Sequence, residues 1–290
     1  MMRGLFGVTT IALLLGLPGC RPMFDITVYE DSLFALLDQG STQASAVLNQ
    51  SIVSSELVEA TIPPGVHADH GVLLFQQGKI AEAVIQLSKE REKYPESTKM
   101  VRQLLTIIQK AGTDEEAPSE AISKRSPSIL LFPVLNSTGK PEAGLAFHLT
   151  LSRQFIERGY YVFPIVATHR LLKNAGVDFD DATKTELTTI RSLTGTDSVL
   201  YVTVTEWEKA WKLLPFIRVR AEYRLIDAST GHEIWRSTVT NQYDPTFVVG
   251  AGPTPLYASY ATSDFRIPAR SLTRKAITAS ENGLPYGPYH

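Results

Sequence analysis

The most constraining feature of the chain is a regular alternation of apolar and polar residues between positions 217 and 227. Ile217, Val219, Ala221, Tyr223 and Leu225 share one side of an extended segment, and most of the residues between them are charged. Successive side chains of a strand point to opposite faces of its sheet. The pattern therefore predicts a strand with one face in a hydrophobic core and the other in water.

The residues around this strand predict a mixed sheet with helices packed against it. Turn chemistry at 227–231 leads into a second alternating segment at 232–242, which predicts a hairpin. Upstream, strands are predicted at 129–134, 160–164 and 199–207. Helices are predicted before Gly159, with Leu145, Leu149 and Ile156 on one face, and from a capping box at 183–186 to about 193. The order of elements predicts an α/β sandwich.

The C-terminal part of this region is predicted from composition. A segment rich in Gly and Pro follows residue 243, and a helix is predicted from about 266 to 280. The last residues, 284–290, are predicted to be extended and packed on the surface.

The N-terminal part of the chain has a different character. Residues 29–110 contain strong helix formers and no convincing period-two run. A helical hairpin is predicted from 65–75 and 80–87, flanked by helices at about 43–58 and 97–110. The spacing of Gly71, Ala83, Leu87 and Pro95 resembles a tetratricopeptide-type repeat, in which small residues let two helices approach. We therefore expect a small TPR-like helical domain for protein contacts.

Residues 111–127 carry charge and proline without hydrophobic periodicity, which is typical of a linker. The chain is therefore predicted to comprise an export signal at 1–19, a helical domain at 20–110, this linker, and an α/β domain at 128–290.

The first residues indicate export. Arg3 is followed by an uncharged apolar run at 4–17, which is too short to be a permanent membrane anchor. Leu17, Gly19 and Cys20 lie in a segment that resembles a bacterial lipobox, with Leu17 and Gly19 recognised by the signal peptidase. The resemblance implies that Cys20 carries a covalent lipid, which would be the only prosthetic group. Arg21 in place of Asp favours sorting to the outer membrane.

Composition supports this interpretation over an ordinary cleaved secretory signal, which is the alternative. Cys20 is the only cysteine, whereas secreted proteins that use disulfides carry pairs. With Cys20 acylated, no thiol remains for metal binding or catalysis. The charge of the whole chain is −2, so nucleic acid is not an expected partner. No later segment is predicted to span a membrane.

Two longer resemblances cover most of the remaining chain. The segments 62–71, 89–90 and 94–97 resemble a family of bacterial lipoproteins built on domain of unknown function four-eight-one-zero. The segments 159–164, 200–207, 225–227 and 284–290, together with Trp235, resemble the neisserial genome-derived-antigen lipoproteins, domain of unknown function seven-nine-nine. The second family is similar in fold to the amino-terminal domain of TolB and to peptidoglycan-synthase activator lipoproteins.

The resemblances imply a lipid-anchored binding protein and supply no catalytic residues. In many bacteria the two families are encoded separately, beside a relative of the curli secretion channel. The first functional hypothesis is therefore a structural or assembly subunit of a cell-envelope complex, with the membrane and other envelope proteins as partners. The alternative is an accessory activator of a peptidoglycan synthase. An enzyme ranks third.

The strongest candidate binding residues are the arginines Arg218, Arg220 and Arg224, which share the polar face of the alternating strand. Arg236, across the hairpin, is a candidate to extend this group. Charged residues on a solvated strand are one explanation. A docking face for an acidic partner or an anionic wall polymer is the other.

Other candidates carry competing interpretations. His67 and His70 are spaced to share a helix face, either for packing or for a metal, and we expect packing and no metal site. Trp207, Trp211 and Phe216 could form an exposed aromatic patch or belong to the core. Homodimerisation through a sheet edge is a further prediction. Gly250–Gly252 lacks the lysine and helix of a phosphate loop.

Overall fold

The computed structural model describes residues 24–111, 127–178, 182–211, 215–243, 266–279 and 281–289. Within them, the N-terminal part is helical and the rest forms a mixed α/β sheet domain. The predicted leader, Cys20 and the residues of the Gly250–Gly252 segment lie outside these ranges. None of the helices in the described ranges is long and apolar enough to cross a membrane.

The helical part contains five helices. They are α1 (Ile26–Gln39), α2 (Ser41–Leu57), α3 (Val66–Gln76), α4 (Ile80–Lys93) and α5 (Thr98–Ala111), with a single 3-10 turn at Pro95–Ser97 before α5. The predicted hairpin is α3 and α4. The backbones approach closely at Gly71, where a Cβ atom would lie 2.9 Å from Cγ of Leu87 and 3.1 Å from the carbonyl oxygen of Ala83. The small residue is therefore required by the packing, as the spacing predicted.

The α/β part contains the predicted strands and helices in the predicted order, together with a short strand at 135–136 and a helix at 165–174 that the sequence did not predict. Its strands are β1 (Ser128–Leu131), β2 (Leu135–Asn136), β3 (Tyr161–Val162), β4 (Ser198–Trp211), β5 (Pro215–Asp227) and β6 (Glu233–Tyr243). Its helices are α6 (Pro141–Glu157), α7 (Ile165–Asn174), α8 (Leu187–Thr194) and α9 (Arg266–Ile277), with a 3-10 turn at Ala182–Lys184.

The sheet is mixed, with strand order β3-β1-β4-β5-β6 and with β2 beside β4. The pairs β1–β3, β1–β4 and β2–β4 are parallel, whereas β4–β5 and β5–β6 are antiparallel. The turn between β5 and β6 is held by Asp227, whose Oδ1 accepts hydrogen bonds from the backbone N–H groups of Ser229 and Thr230, both at 2.8 Å. The predicted hairpin is confirmed.

The alternation in β5 is confirmed residue by residue. Ile217, Val219, Ala221, Tyr223 and Leu225 are all buried, and the residues between them are exposed or half-buried. This buried face packs under α6 and α9 in one hydrophobic cluster.

The opposite face of the sheet near β1 and β3 is covered by the helical part and α7. One continuous cluster contains Leu48, Leu87 and Leu104 of the helical part together with Phe132 and Phe163 of the α/β part. Burying such side chains contributes about 1.5–3 kcal/mol each. The two parts of the chain therefore share a core.

Two local predictions are wrong. The capping box at 183–186 does not open α8, because Glu186 is itself the N-cap residue in an extended conformation (φ −60°, ψ 136°) and the helix begins at Leu187. On α6, Leu145 is 44 % exposed, whereas Phe147, Leu151 and Phe155 face the sheet. Leu149 is buried on the other side, against the helical part, so α6 lies between two layers and does not have a single apolar face.

Candidate functional site

A buried carboxyl on α3 joins the helical part to the α/β part. Asp69 accepts a hydrogen bond from the hydroxyl of Tyr29 on α1 at 2.8 Å and one from the backbone N–H of Ala167 on α7 at 2.8 Å. The N-cap position of α7 is occupied by Pro164, which has no side-chain acceptor. Asp69 therefore supplies the missing cap from another layer, and burial raises the pKa of its carboxyl to about 7.

A second buried carboxyl, on α4, also accepts hydrogen bonds from both parts of the chain. Oε1 of Glu90 on α4 accepts hydrogen bonds from the backbone N–H of Gly65 at 2.8 Å, where α3 begins, and from the hydroxyl of Tyr161 on β3 at 3.1 Å. Burial raises the pKa of Glu90 to about 7. Gly65 has a φ of +89°, which favours glycine. Two helix starts and two tyrosines thus depend on two buried acids.

A third contact between the parts is an ion pair. Glu30 on α1 is buried and paired with Arg270 on α9. Burial raises the pKa of Glu30 to about 7, even though Arg270 lowers it. Because a buried acid without its partner would be costly, this pair fixes α1 against α9.

The last residues contact both parts of the chain, in agreement with the predicted extended segment packed on the surface. Leu284 is buried, and its carbonyl oxygen accepts hydrogen bonds from Arg158, whose guanidinium also stacks 3.7 Å from the ring centroid of Tyr286. The hydroxyl of Tyr289 donates to Glu96 of the helical part at 2.7 Å. The C-terminal residues therefore bridge the α/β part and the helical part.

The histidines on α3 are packed inside the helical part. Nδ1 of His67 lies 2.7 Å from Oε1 of Gln86. Burial lowers the pKa of His67, and it lowers the pKa of His70 to about 4. Both rings are therefore neutral near pH 7. Within the described ranges, no group of three or more His, Cys, Asp and Glu side chains could hold a metal ion.

Residue Trp207 belongs to the core. It is 6 % exposed, and its ring meets Phe147 edge-on with centroids 6.2 Å apart. The exposed aromatic patch is therefore wrong for this residue, and the alternative of core packing is confirmed. The side chains of Trp211 and Phe216 lie outside the described part of the chain.

The three predicted arginines share one face of the sheet, and no other described helix or strand covers that face. We call this surface the open sheet face, and it is formed by the outward residues of β4, β5 and β6 on the side away from α6 and α9. Arg218, Arg220 and Arg224 lie along β5 within it. Their strand neighbours on the same face are Tyr201, Thr203, Glu206, Glu208, Arg236, Thr238, Thr240 and Gln242.

Glutamates offset most of the positive charge on the open sheet face. Arg218 lies 3.5 Å from Glu208, and Arg224 lies 2.9 Å from Glu233. Arg236 also pairs with Glu233, at 2.8 Å. Exposed pairs of this kind contribute little to stability, with a median of about 0–1 kcal/mol. The face therefore has a pattern of alternating charge, which suits a partner of complementary pattern better than a uniformly anionic polymer.

Arg220 differs from the other two arginines. It is exposed, and none of the residues in the described ranges forms an ion pair with it. It lies between Glu206 on β4 and Thr240 on β6 in the pairing register. Arg220 is therefore the cation of the open sheet face that is best placed to meet an acidic group from outside.

Comparison with known proteins also divides the chain into an N-terminal and a C-terminal part. Residues 23–104 match the model of a domain of unknown function, DUF4810, and residues 119–246 match the model described as "Putative lipoprotein GNA1162-like". The two-part organisation inferred from the sequence is therefore supported by two different models. Neither description names a catalytic activity.

Individual proteins resemble the second part. A putative lipoprotein of Neisseria meningitidis serogroup B is 30 % identical over 115 residues, which is 39 % of this chain and 54 % of that protein. The chain thus spans about half the length of this curated relative. The crystal structure of lipoprotein GNA1162 from Neisseria meningitidis is 25 % identical over 47 % of this chain and 96 % of that one, with a TM-score of 0.39. The PelC dodecamer from Paraburkholderia phytofirmans is 19 % identical over 56 % and 91 %, with a TM-score of 0.35.

Sequence reasoning missed Asp69, Glu90 and Glu30. One signal was present, because Asp69 is the only acidic residue in the mostly apolar run from Val66 to Phe75. An acid inside such a run must find donors when the helix is buried. The donor on α7 is 98 residues away, so the sequence alone did not reveal it.

Proposed function

We propose that the protein is an outer-membrane lipoprotein, attached through a lipid on Cys20, that serves as a rigid non-enzymatic adaptor in a cell-envelope complex. The open sheet face binds one envelope protein, and the helical part binds another. A relative of the curli secretion channel is the first partner to test. The name of the matching family model and that of the neisserial relative support the lipoprotein assignment.

The observation that carries the adaptor function is the connection between the two parts. A shared core, the Asp69 cap on α7 and the Glu30–Arg270 pair hold the helices against one side of the sheet. The two parts would therefore hold their two partners in a fixed relative orientation. The buried acids serve as structural acceptors, which leaves the open sheet face as the candidate contact surface.

The test replaces Arg218, Arg220 and Arg224 together by serine in the lipidated protein. These side chains are exposed or half-buried, so the fold should persist, while envelope proteins recovered with the variant from membranes should fall at least about tenfold. Loss of charge-assisted contacts of 1.5–3 kcal/mol would give that factor or more.

A matched control replaces Lys140, Lys173 and Lys184 by serine, which removes the same number of cations from other surfaces of the α/β part. The control should retain its partners. Unchanged recovery with the Arg218, Arg220 and Arg224 variant, or an equal loss with the control, would contradict a role for the open sheet face.

A further inference from the structure

A cleft rich in cations lies where the helical part meets α8 and the turn after β5. Its volume is about 500 Å³, and its polar lining includes Lys99, Arg102, Thr188, Arg191, Ser192 and Ser229. None of the described residues that line it carries a carboxylate. This is unusual for a chain with net charge −2, because anionic side chains outnumber cationic ones over the whole sequence.

The guanidinium of Arg102 supplies a buried donor to the cleft. Arg102 is half-buried on α5, and its Nε is shielded from solvent with no hydrogen-bond acceptor among the described residues. A shielded donor of a charged group is costly unless it is paired. The Nε atoms of Arg170 and Arg270 also lack an acceptor among the described residues, but the charge of Arg270 is paired with Glu30 and the guanidinium of Arg170 lies over the ring of Phe75. An external anion would supply the acceptor that Arg102 lacks.

Lys99 and Arg191 are the other cations that line the same cleft. Nζ of Lys99 donates to the carbonyl oxygen of Arg191 at 3.3 Å, and Nε2 of Gln103 donates to that of Ser192 at 3.4 Å. These contacts dock α5 onto the last turn of α8. The side chain of Arg191 is exposed and forms no ion pair within the described ranges. Two guanidinium groups therefore line one cleft, and neither has a carboxylate partner among the residues that the structure describes.

We propose that this cleft binds a phosphate group. Planar guanidinium groups recognise phosphate through pairs of parallel hydrogen bonds. The hydroxyls of Thr188, Ser192 and Ser229 donate to Glu186, Thr189 and Asp227, so the donors available to the anion are the two guanidinium groups and the ammonium of Lys99. A phosphate group carries a charge of about −1.5 to −2 near pH 7 and therefore matches three cations better than a carboxylate does. The site needs both parts of the chain, since Arg102 comes from α5 and Arg191 from α8. It does not depend on the adaptor function.

The first experiment titrates inorganic phosphate into the chain from residue 20 onward with Cys20→Ser, which contains every described residue. Thermal unfolding is followed at constant pH and ionic strength. Phosphate should raise the midpoint in a saturable way, as a ligand of the folded state does. Arg102→Gln and Arg191→Gln should each weaken the apparent Kd at least about tenfold, in line with the loss of one charge-assisted contact.

The control is Arg220→Gln, which removes an exposed arginine from the open sheet face and should leave the phosphate response unchanged. Since Arg191 is exposed, its variant should fold even if Arg102→Gln does not. Equal responses in all variants, or an acetate response equal to that of phosphate, would overturn the proposal.

A second arm distinguishes the source of the phosphate. The same protein is sedimented with vesicles of phosphatidylglycerol in phosphatidylcholine, with and without inorganic phosphate as a competitor. Binding that requires Arg102 and Arg191 and is displaced by phosphate identifies a lipid headgroup. Saturable phosphate binding without vesicle binding identifies a soluble phosphate. Vesicle binding that is indifferent to both arginines, with no phosphate response, refutes the site.

Discussion

Replacing Asp69 should weaken the contact between the helical part and the α/β part and lower the free energy of unfolding. Asp69→Ala removes the acceptor for the backbone N–H of Ala167 and for the hydroxyl of Tyr29, both at 2.8 Å and both buried. Asp69→Asn keeps one amide oxygen in place for Ala167 and removes the ionisable group. The comparison of the two variants therefore isolates the hydrogen bonds from the charge.

The magnitude follows from the number of groups left without a partner. Each buried donor deprived of its acceptor costs about 1–3 kcal/mol, so Asp69→Ala should lower the free energy of unfolding by about 3 kcal/mol at pH 5. An intact domain has about 5–15 kcal/mol in total. Asp69→Asn should cost about 1 kcal/mol or less at that pH. Asp25→Ala is a matched control, since Asp25 caps α1 at the surface through the N–H of Thr27 at 2.9 Å, and it should cost about 1 kcal/mol.

The assay is urea unfolding of the Cys20→Ser chain, followed by two probes. All three tryptophans lie in the α/β part, at 207, 211 and 235, whereas circular dichroism reports mainly the helices. In the wild-type sequence the two curves should coincide, because the parts share a core. A loss below about 1 kcal/mol for Asp69→Ala, an equal loss for Asp69→Asn, or two separate wild-type transitions would refute the reasoning.

The remaining predictions concern pH and one glycine. Burial raises the pKa values of Asp69 and Glu90 to about 7 from their ordinary values of 3.8 and 4.5, so the folded state holds more protons than the unfolded state between these limits. Their stabilising contribution is complete below the unfolded pKa and is lost as pH rises through 7, by roughly 2–3 kcal/mol for each carboxyl between pH 5 and 8. Chemical denaturation across this range should show the fall, and Glu90→Gln should flatten it. Gly65→Ala should cost at least about 1 kcal/mol in the same assay, because φ is +89° and a Cβ would lie 3.0 Å from a side-chain carbon of the proline before α7. Gly40→Ala is its control, with a φ of +85° and open space around the added Cβ.

Two results would contradict these expectations. A free energy of unfolding that rises between pH 5 and 8, with the same slope in Glu90→Gln, would mean that the buried carboxyls titrate near their ordinary values. Equal destabilisation by Gly65→Ala and Gly40→Ala would mean that the close contact between the start of α3 and the proline before α7 does not add to the cost of the substitution.

Local sequence patterns predicted the elements whose burial follows a regular spacing of apolar residues, such as the two-residue alternation of a strand. In β5 every second residue is apolar, and the neighbouring strands and α9 protect that face, so alternation and burial agree. The hairpin turn was predicted for a similar reason, since Asp227 satisfies backbone donors only two and three residues ahead. Interactions between residues that are close in the chain can be predicted from the sequence.

Features that depend on distant partners were not predicted. On α6, Leu145 resembles a core residue by spacing but faces solvent, because Phe147, Leu151 and Phe155 orient the helix toward the sheet. The start of α8 shifted by a turn because Glu186 took the N-cap role that spacing gave to Thr183. The roles of Asp69 and Glu90 depend on α7 and β3, which lie 98 and 71 residues away along the chain. Spacing carries no information on such contacts.

The most direct test of the adaptor account is photocrosslinking in intact cells that lack the native gene. A photoreactive amino acid is placed at position 220 on the open sheet face, with position 173 on α7 as the control surface, in chains with and without Cys20→Ser. The account predicts a discrete adduct with an envelope protein from position 220 of the lipidated chain, absent from position 173 and lost with Cys20→Ser. The same adduct from both positions, or full complementation by the Cys20→Ser chain, would contradict it.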